Sequence, residues 1–186
     1  MMIVIGITGT LGAGKGTIVD YLVKEKGFDH YSVRLFLIRE IEKLGLPLNR
    51  DSMTSVANEL RAHHSPSYIT DCLYNEALKN GKSCVIESIR TAGEIISLRE
   101  KGSFTLFAID AAAETRYQRI QLRNSETDSV TYDTFLSNEN REMNSTDPNK
   151  QNLKACIQQA DYVFINNGTF DDLIAQVEAV LTKLIS

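Results

Sequence analysis

The stretch that decides the fold of this chain is Gly9-Thr10-Leu11-Gly12-Ala13-Gly14-Lys15-Gly16-Thr17. It follows the apolar run Met2–Ile7, which is typical of a buried strand, and it precedes residues 18–23, whose apolar side chains repeat at helical spacing. A strand, a glycine-rich loop with a lysine, and a helix form the context that a phosphate-binding P-loop requires. The glycines let the backbone curl around an anion, and the helix N-terminus adds the positive end of its dipole. We therefore predict phosphate contacts from Gly12, Ala13, Gly14, Lys15, Gly16 and Thr17.

The length and composition suit one globular domain spanning residues 1–186, with 42% hydrophobic residues available for a core. The net charge of −4 argues against general nucleic-acid binding, which requires a basic face. It does not exclude an anionic small-molecule partner, because a local cluster of arginines is sufficient there.

The three cysteines, Cys72, Cys84 and Cys156, are odd in number and far apart. They are typical of reduced core residues in a cytosolic protein. No apolar run is long enough to span a membrane, and the N-terminus has no signal-peptide pattern. We expect a cytoplasmic protein without a membrane partner, although an organelle remains open. The sequence does not indicate the oligomeric state.

Short, continuous apolar runs alternate with helical patterns along the whole chain. This alternation predicts an α/β fold with a five-stranded parallel sheet and helices on both faces, the three-layer P-loop NTPase architecture. Ligands of such sheets bind at the carboxyl ends of the strands. Residues that directly follow strands are therefore the candidates for chemistry.

Glu87 ends the apolar run Ser83–Ile86, which we expect to form a strand beside the P-loop strand. Phosphoryl transfer requires a carboxylate near magnesium and several converging arginines. Glu87 could hold a magnesium-bound water or orient an acceptor oxygen; alternatively, it is a loop carboxylate without such a role. Arg119 and Arg123 lie four residues apart on one helix face, where like charges repel by about a few tenths of a kcal/mol. An anion bound between them would explain this cost, and solvated helix charges are the alternative.

The loop ends in Gly-Lys-Gly-Thr and so resembles that of the adenylate-kinase-like nucleoside monophosphate kinases. Gly16 stands where most P-loops have the Ser or Thr that ligates magnesium. The resemblance implies that Thr17 touches the nucleotide phosphates and at most weakly the metal. It also implies that Mg²⁺ is held mainly by phosphates and water.

The resemblance extends to an acceptor side, a helical insert over about residues 32–80. Glu87-Ser88-Ile89-Arg90 is similar to the Asp-Gly-aromatic-Pro-Arg stretch of these kinases, in which the arginine grips the acceptor phosphate. Ser32 through Arg39 resembles their acceptor-site helix, which a Ser or Thr opens and from which an arginine reaches the phosphate. The predicted acceptor contacts are accordingly Ser32, Arg61, Glu87 and Arg90, together with Arg34 or Arg39, which compete for the role of the helix arginine.

A lid is implied over about residues 123–142. Arg119 and Arg123 match the Arg-x-x-x-Arg that opens the lid, and Arg141 could return to the acceptor from its far side. Asn167-Gly168 resembles the turn that packs against the donor adenine. These matches assign catalytic roles to Lys15, Arg90, Arg119 and Arg123.

Most of the chain is similar to archaeal dephospho-CoA-kinase-like nucleotide kinases related to adenylate kinase. The resemblance implies an ATP- and Mg²⁺-dependent phosphotransferase acting on a small phosphorylated acceptor, such as a nucleoside monophosphate. A dephospho-CoA-kinase-like enzyme is one alternative, although dephospho-CoA kinases usually have Gly-Lys-Ser in this loop. A non-catalytic ATP-binding regulator is the alternative from another class.

Overall fold

A twisted sheet of five parallel strands forms the centre of the protein in a computed structural model that describes residues 2–123 and 130–185. The strand order is β2-β3-β1-β4-β5, so β1, which leads into the P-loop, lies in the middle of the sheet. The strands are β1 (Val4–Gly9), β2 (Asp29–Ser32), β3 (Cys84–Glu87), β4 (Phe104–Asp110) and β5 (Tyr162–Ile165).

Helices connect the strands within the described ranges. They are α1 (Lys15–Lys26), α2 (Val33–Lys43), α3 (Arg50–His63), α4 (Tyr68–Asn80), α5 (Ala92–Glu100), α6 (Ala113–Arg123), α7 (Tyr132–Met143), α8 (Leu153–Gln158) and α9 (Phe170–Ile185). Part of the predicted lid falls on residues 124–129, which lie outside the described residues.

The sheet is covered on both faces because successive strand residues point in opposite directions. Val85 packs into a core formed with α1 and α9, whereas Ile86 packs into a second core formed with α2, α4 and α5. Every residue of β1 is buried. The predicted five-stranded parallel sheet with helices on both faces is therefore confirmed.

The strand register brings the predicted functional residues to one edge of the sheet. Glu87 lies opposite Ile7 of β1 on one side and opposite Ser32 of β2 on the other. Asp110 ends β4, which pairs with the other side of β1. The P-loop and the ends of β2, β3 and β4 consequently surround one surface.

All three cysteines carry free thiols, and Cys84 and Cys156 are buried. Within residues 2–123 and 130–185, no helix combines the length and the apolar character that crossing a bilayer requires.

Candidate functional site

The P-loop wraps tightly between α6 and the segment after β5. A Cβ atom at Gly12, whose φ is +81°, would lie 2.6 Å from the carbonyl oxygen of Arg116. A Cβ at Gly14, whose φ is +101°, would lie 2.4 Å from Nδ2 of Asn166. Gly14 also precedes α1 without a side chain to cap it, and a helix N-terminus of this kind can bind an anion. The loop therefore has the glycine-lined shape of a phosphate cradle.

Lys15 directs its ammonium group into this loop. Its Nζ donates hydrogen bonds to the carbonyl oxygens of Gly9, at 3.0 Å, and Thr10, at 2.6 Å. Burial lowers the pKa of Lys15 from 10.5 to about 7; the charge of Arg90 contributes to the decrease, and that of Glu87 opposes it. A bound phosphate would supply the negative charge that favours the ammonium form.

Gly16 is the departure from the usual loop sequence, and the backbone does not require it. Gly16 is exposed, its φ lies outside the left-handed region, and a Cβ atom there would meet nothing within 4 Å. A serine would fit, so the glycine removes a hydroxyl ligand rather than relieving a clash. Among the described residues, no group of three or more His, Cys, Asp or Glu side chains could hold a metal ion. The metal contacts of Thr17 and Glu87 stay predictions.

Glu87 lies at the end of β3, as predicted, and is oriented by β2. Its Oε1 accepts a 2.6 Å hydrogen bond from the Ser32 hydroxyl and lies 3.4 Å from Nε2 of His30. Burial favours the neutral acid, but the hydrogen bonds from His30 and Ser32 and the charge of Lys15 hold the pKa of Glu87 below its ordinary value. Ser32 is buried and also caps α2 by accepting from Leu35 N. Since its proton points to Glu87, Ser32 orients the carboxylate; its direct acceptor contact stays a prediction.

Ser88 makes the sharp turn that follows β3. Its φ of +68° is the only positive value of a non-glycine residue in the described part of the chain. The turn is held because Ile89 N donates to Ile7 O at 3.0 Å and Thr8 Oγ1 donates to Ile89 O at 2.7 Å. Ser88 occupies the position that is glycine in the resembled kinase stretch. The turn brings Arg90 to the same surface as the P-loop.

Arg90 belongs to an ionic cluster that the sequence did not predict. Its Nη1 donates to Glu142 Oε2 at 2.9 Å and to Gln151 Oε1 at 2.8 Å. The other oxygen of Glu142 accepts from Nη2 of Arg50. Arg50 is the first residue of α3 and follows the cap Asn49, and nothing in the local sequence separates it from other helix-start residues.

The predicted acceptor contact of Arg61 is wrong, because its side chain is 1% exposed. It shares the buried face of α3 with Ala57 and pairs with the fully buried Glu94 at 3.0 Å. Glu94 Oε2 in turn accepts from the backbone N–H groups of Arg90, at 2.7 Å, and Thr91, at 3.0 Å. Arg61 therefore stabilises the segment that carries Arg90 from inside the protein.

Three predicted acceptor arginines are exposed and lie outside the Arg50–Arg90–Glu142 cluster. Arg34 places Nη1 3.4 Å from Met53 Sδ, and Arg141 donates to Asn138 of its own helix at 3.2 Å. Arg39 is exposed on α2. The acceptor contacts of Arg34, Arg39 and Arg141 stay predictions.

Arg119 connects α6 to the turn predicted to face adenine. Its Nη1 donates to Asn166 O at 2.9 Å, and its Nη2 lies 3.4 Å from Gly168 O. Asn166 is buried and donates from Nδ2 to Ala13 O at 2.8 Å, which links this turn to the P-loop. Asn167 Oδ1 accepts from the backbone after β4. The structure thus places Arg119 and the turn with Asn167 and Gly168 beside the P-loop, and their contacts with a nucleotide stay predictions.

Arg123 ends α6 and is exposed. Its positive charge contributes to the lowered pKa of Lys15, so it lies within electrostatic reach of the P-loop. Arg119 is engaged with the turn after β5. The shared anion site of Arg119 and Arg123 stays a prediction.

Arg116 is a site residue that the sequence reasoning missed. Arg116 is only 4% exposed and pairs with Glu139 of α7. Its Nε donates to Ala111 O at 2.7 Å, and its Nη1 donates to the P-loop carbonyl oxygen of Leu11 at 3.3 Å. A signal was available, since Arg116 precedes the buried Ile120 by one helical turn and therefore faces inward.

Comparison with known proteins supports the same fold. The chain matches the family model of an AAA domain over residues 5–147. A UPF0200 protein of Methanococcus vannielii is 34% identical over 187 residues, covering 99% of this chain and 97% of that protein. Among solved structures, TT1252 from Thermus thermophilus is similar at 21% identity and a TM-score of 0.63, with 98% of both chains covered. Shikimate kinase from Bacteroides thetaiotaomicron is similar at 12% identity and a TM-score of 0.61, covering 98% of this chain and 99% of the kinase.

Proposed function

We propose that this chain, which belongs to the UPF0200 family and carries an AAA domain of the P-loop type, is an ATP-dependent phosphotransferase. The acceptor that we propose is a small phosphorylated molecule, specifically a nucleoside monophosphate. The kinase-like fold supports the general class, and the residues beside the P-loop support the acceptor.

The observation that carries the proposal is the presence of two separate cationic groups on one surface. Lys15 lies in the loop after β1, and Arg90 follows the neighbouring strand β3, with Glu87 at the end of the same strand. The charges of Arg90 and Glu87 both act on the pKa of Lys15, so the three groups share one electrostatic environment. A protein that binds one nucleotide needs the loop alone, whereas transfer to a phosphorylated acceptor needs the second cation as well.

The site residues fit a nucleoside triphosphate. Cβ atoms at Gly12 and Gly14 would clash with neighbouring atoms, and residues 9–17 include no Asp or Glu that could neutralise the charge of Lys15. Magnesium, when bound with ATP, neutralises charge on the transferred phosphoryl group, and Thr17 and Glu87 would face it. Glu87 remains ionised and would orient the acceptor oxygen or a metal-bound water, while Lys15 stabilises the transferring phosphoryl charge.

A coupled assay of ADP release tests this proposal across nucleoside monophosphates, dephospho-CoA and other phosphorylated metabolites. We expect ADP release to depend on one acceptor class. The variant Lys15→Ala should lower kcat by about 10²–10³, as the loss of one preorganised charge contact does. Lys24→Ala, which removes an exposed lysine from the same helix, serves as the control and should retain kcat.

Two results would contradict the kinase assignment. ADP release that is equally low with every acceptor would favour an ATP-binding regulator, and unchanged turnover in Lys15→Ala would remove the role of the loop lysine. A response to dephospho-CoA alone would favour the dephospho-CoA-kinase-like alternative. We also propose a cytosolic location, which the three free thiols support.

A further inference from the structure

The carboxylate of Glu142 lies between two arginines that come from distant parts of the chain. Arg50 begins α3 and Arg90 follows β3, and each donates to a different oxygen of Glu142. Glu142 itself is on α7, at the C-terminal end of the predicted lid segment. Two guanidinium groups that converge on one carboxylate form a geometry that also suits a phosphate group.

The cluster is partly shielded from water, and one N–H donor of Arg50 makes no hydrogen bond among the described residues. The side chains of Arg50, Arg90 and Glu142 are 28%, 25% and 13% exposed. The Nε atom of Arg50 is buried and has no hydrogen-bond acceptor within residues 2–123 and 130–185. A carboxylate offers two oxygens, and both are already engaged by Arg50 and Arg90. A phosphate offers at least three and could accept from the remaining donor.

The cluster also lies within electrostatic reach of Lys15 in the P-loop. Glu142 and Arg90 are both among the charges that act on the pKa of Lys15. Arg90 is held in position by Gln151 through its side chain and by Glu94 through its backbone N–H. An anion held by Arg50 and Arg90 would therefore lie within electrostatic reach of the P-loop lysine.

We propose that Arg50 and Arg90 bind the phosphate group of the acceptor, and that the carboxylate of Glu142 occupies this site until the phosphate displaces it. The inference rests on the proposed function and adds to it a specific acceptor-phosphate site, with Arg50 as a binding residue and Glu142 as an internal competitor. Displacement would also release α7 from the acceptor side, while Glu139 keeps its contact with Arg116 on the donor side.

When Glu142 competes in this way, only the molecules in which it has left the site can bind phosphate. The apparent Kd for phosphate is then the intrinsic Kd divided by the fraction of such molecules. Removing the charge of Glu142 should therefore strengthen phosphate binding, although it deletes an ion pair from the protein. A carboxylate with a purely structural role makes the opposite prediction, because its loss would leave the two arginines less ordered and phosphate binding weaker or unchanged.

The test measures binding of inorganic phosphate by calorimetry while a β,γ-imido analogue of ATP saturates the P-loop. We expect Glu142→Gln to lower the phosphate Kd by about tenfold or more. Arg50→Gln should raise it by about tenfold, the loss of one charge-assisted contact. Asp133→Asn removes one negative charge from an exposed position of the same helix and should leave the phosphate Kd unchanged.

A phosphate Kd that does not fall in Glu142→Gln, or does not rise in Arg50→Gln, would overturn the inference. The Arg50→Gln result decides the site even if Glu142→Gln fails to fold. Binding of the ATP analogue is measured first for each protein, so its absence in the wild type would indicate failure of the proposed function rather than of this site. With an acceptor from the ADP-release screen, phosphate should inhibit competitively; non-competitive inhibition would place the phosphate elsewhere and refute the proposal.

Discussion

The lowered pKa of Lys15 predicts that nucleotide binding takes up a proton at mildly alkaline pH. In the unliganded site the pKa is about 7, because the ammonium group is buried and Arg90 lies nearby. A triphosphate in the loop reverses the local charge and restores the ammonium form well above pH 8. With a pKa of 7, Lys15 is about one-tenth protonated at pH 8 before binding and nearly fully protonated afterwards.

The expected uptake by Lys15 is therefore about 0.9 proton per ATP at pH 8 and about 0.1 at pH 6. Above pH 7 the apparent Kd for ATP should rise by up to about tenfold per pH unit, because the competent ammonium form becomes scarce. The terminal phosphate of ATP does not contribute at pH 8, since its own pKa is about 6.

Isothermal titration in two buffers with different ionisation enthalpies measures this uptake directly. Lys15→Arg is the matched control, because a guanidinium group stays charged throughout this range and should reduce the uptake to near zero. Tight ATP binding at pH 8 without proton uptake by the wild-type protein would refute a depressed Lys15 pKa. Equal uptake by Lys15→Arg would assign the proton to another group.

Two further predictions concern stability and are measured by urea unfolding. Arg61→Met leaves Glu94 buried without its cation and should lower the free energy of unfolding by about 3–5 kcal/mol. Arg99→Met, which breaks the exposed pair with Asp161, should change it by about 1 kcal/mol or less; equal effects of the two changes would contradict the buried pair. At the positive φ of Ser88, a valine should be less stable than a glycine by about 1–3 kcal/mol. Equal stabilities of Ser88→Val and Ser88→Gly would mean that this turn relaxes without cost.

Much of the donor side could be predicted from the sequence because its signals are local. The strand, the glycine loop and the helix that starts at Lys15 are neighbours in the chain, and their spacing determines the shape of the cradle. The sheet was predictable for a related reason, since each continuous apolar run indicates a strand that is buried on both faces. Glu87 followed from the same logic, because it ends a strand beside β1.

The acceptor side was harder to predict because it depends on which face each helix presents after packing. Arg61 and Arg50 both belong to α3, and each carries a guanidinium group of the kind that binds phosphate. Packing turns Arg61 into the core against Glu94 and leaves Arg50 half-buried against Glu142. The partner residue lies 92 positions further along the chain from Arg50. No local sequence pattern predicts a pairing between residues so far apart in the chain.

The sequence by itself determined that residues 9–17 form a P-loop, because the conformation of that loop follows from its own glycines and its flanking strand and helix. The tertiary structure alone decided which arginines stand opposite the loop and which carboxylates hold them. Loop geometry depends on backbone torsions that neighbouring residues control, whereas ion pairs between Arg50, Arg90 and Glu142 form only when three separate elements pack against one another.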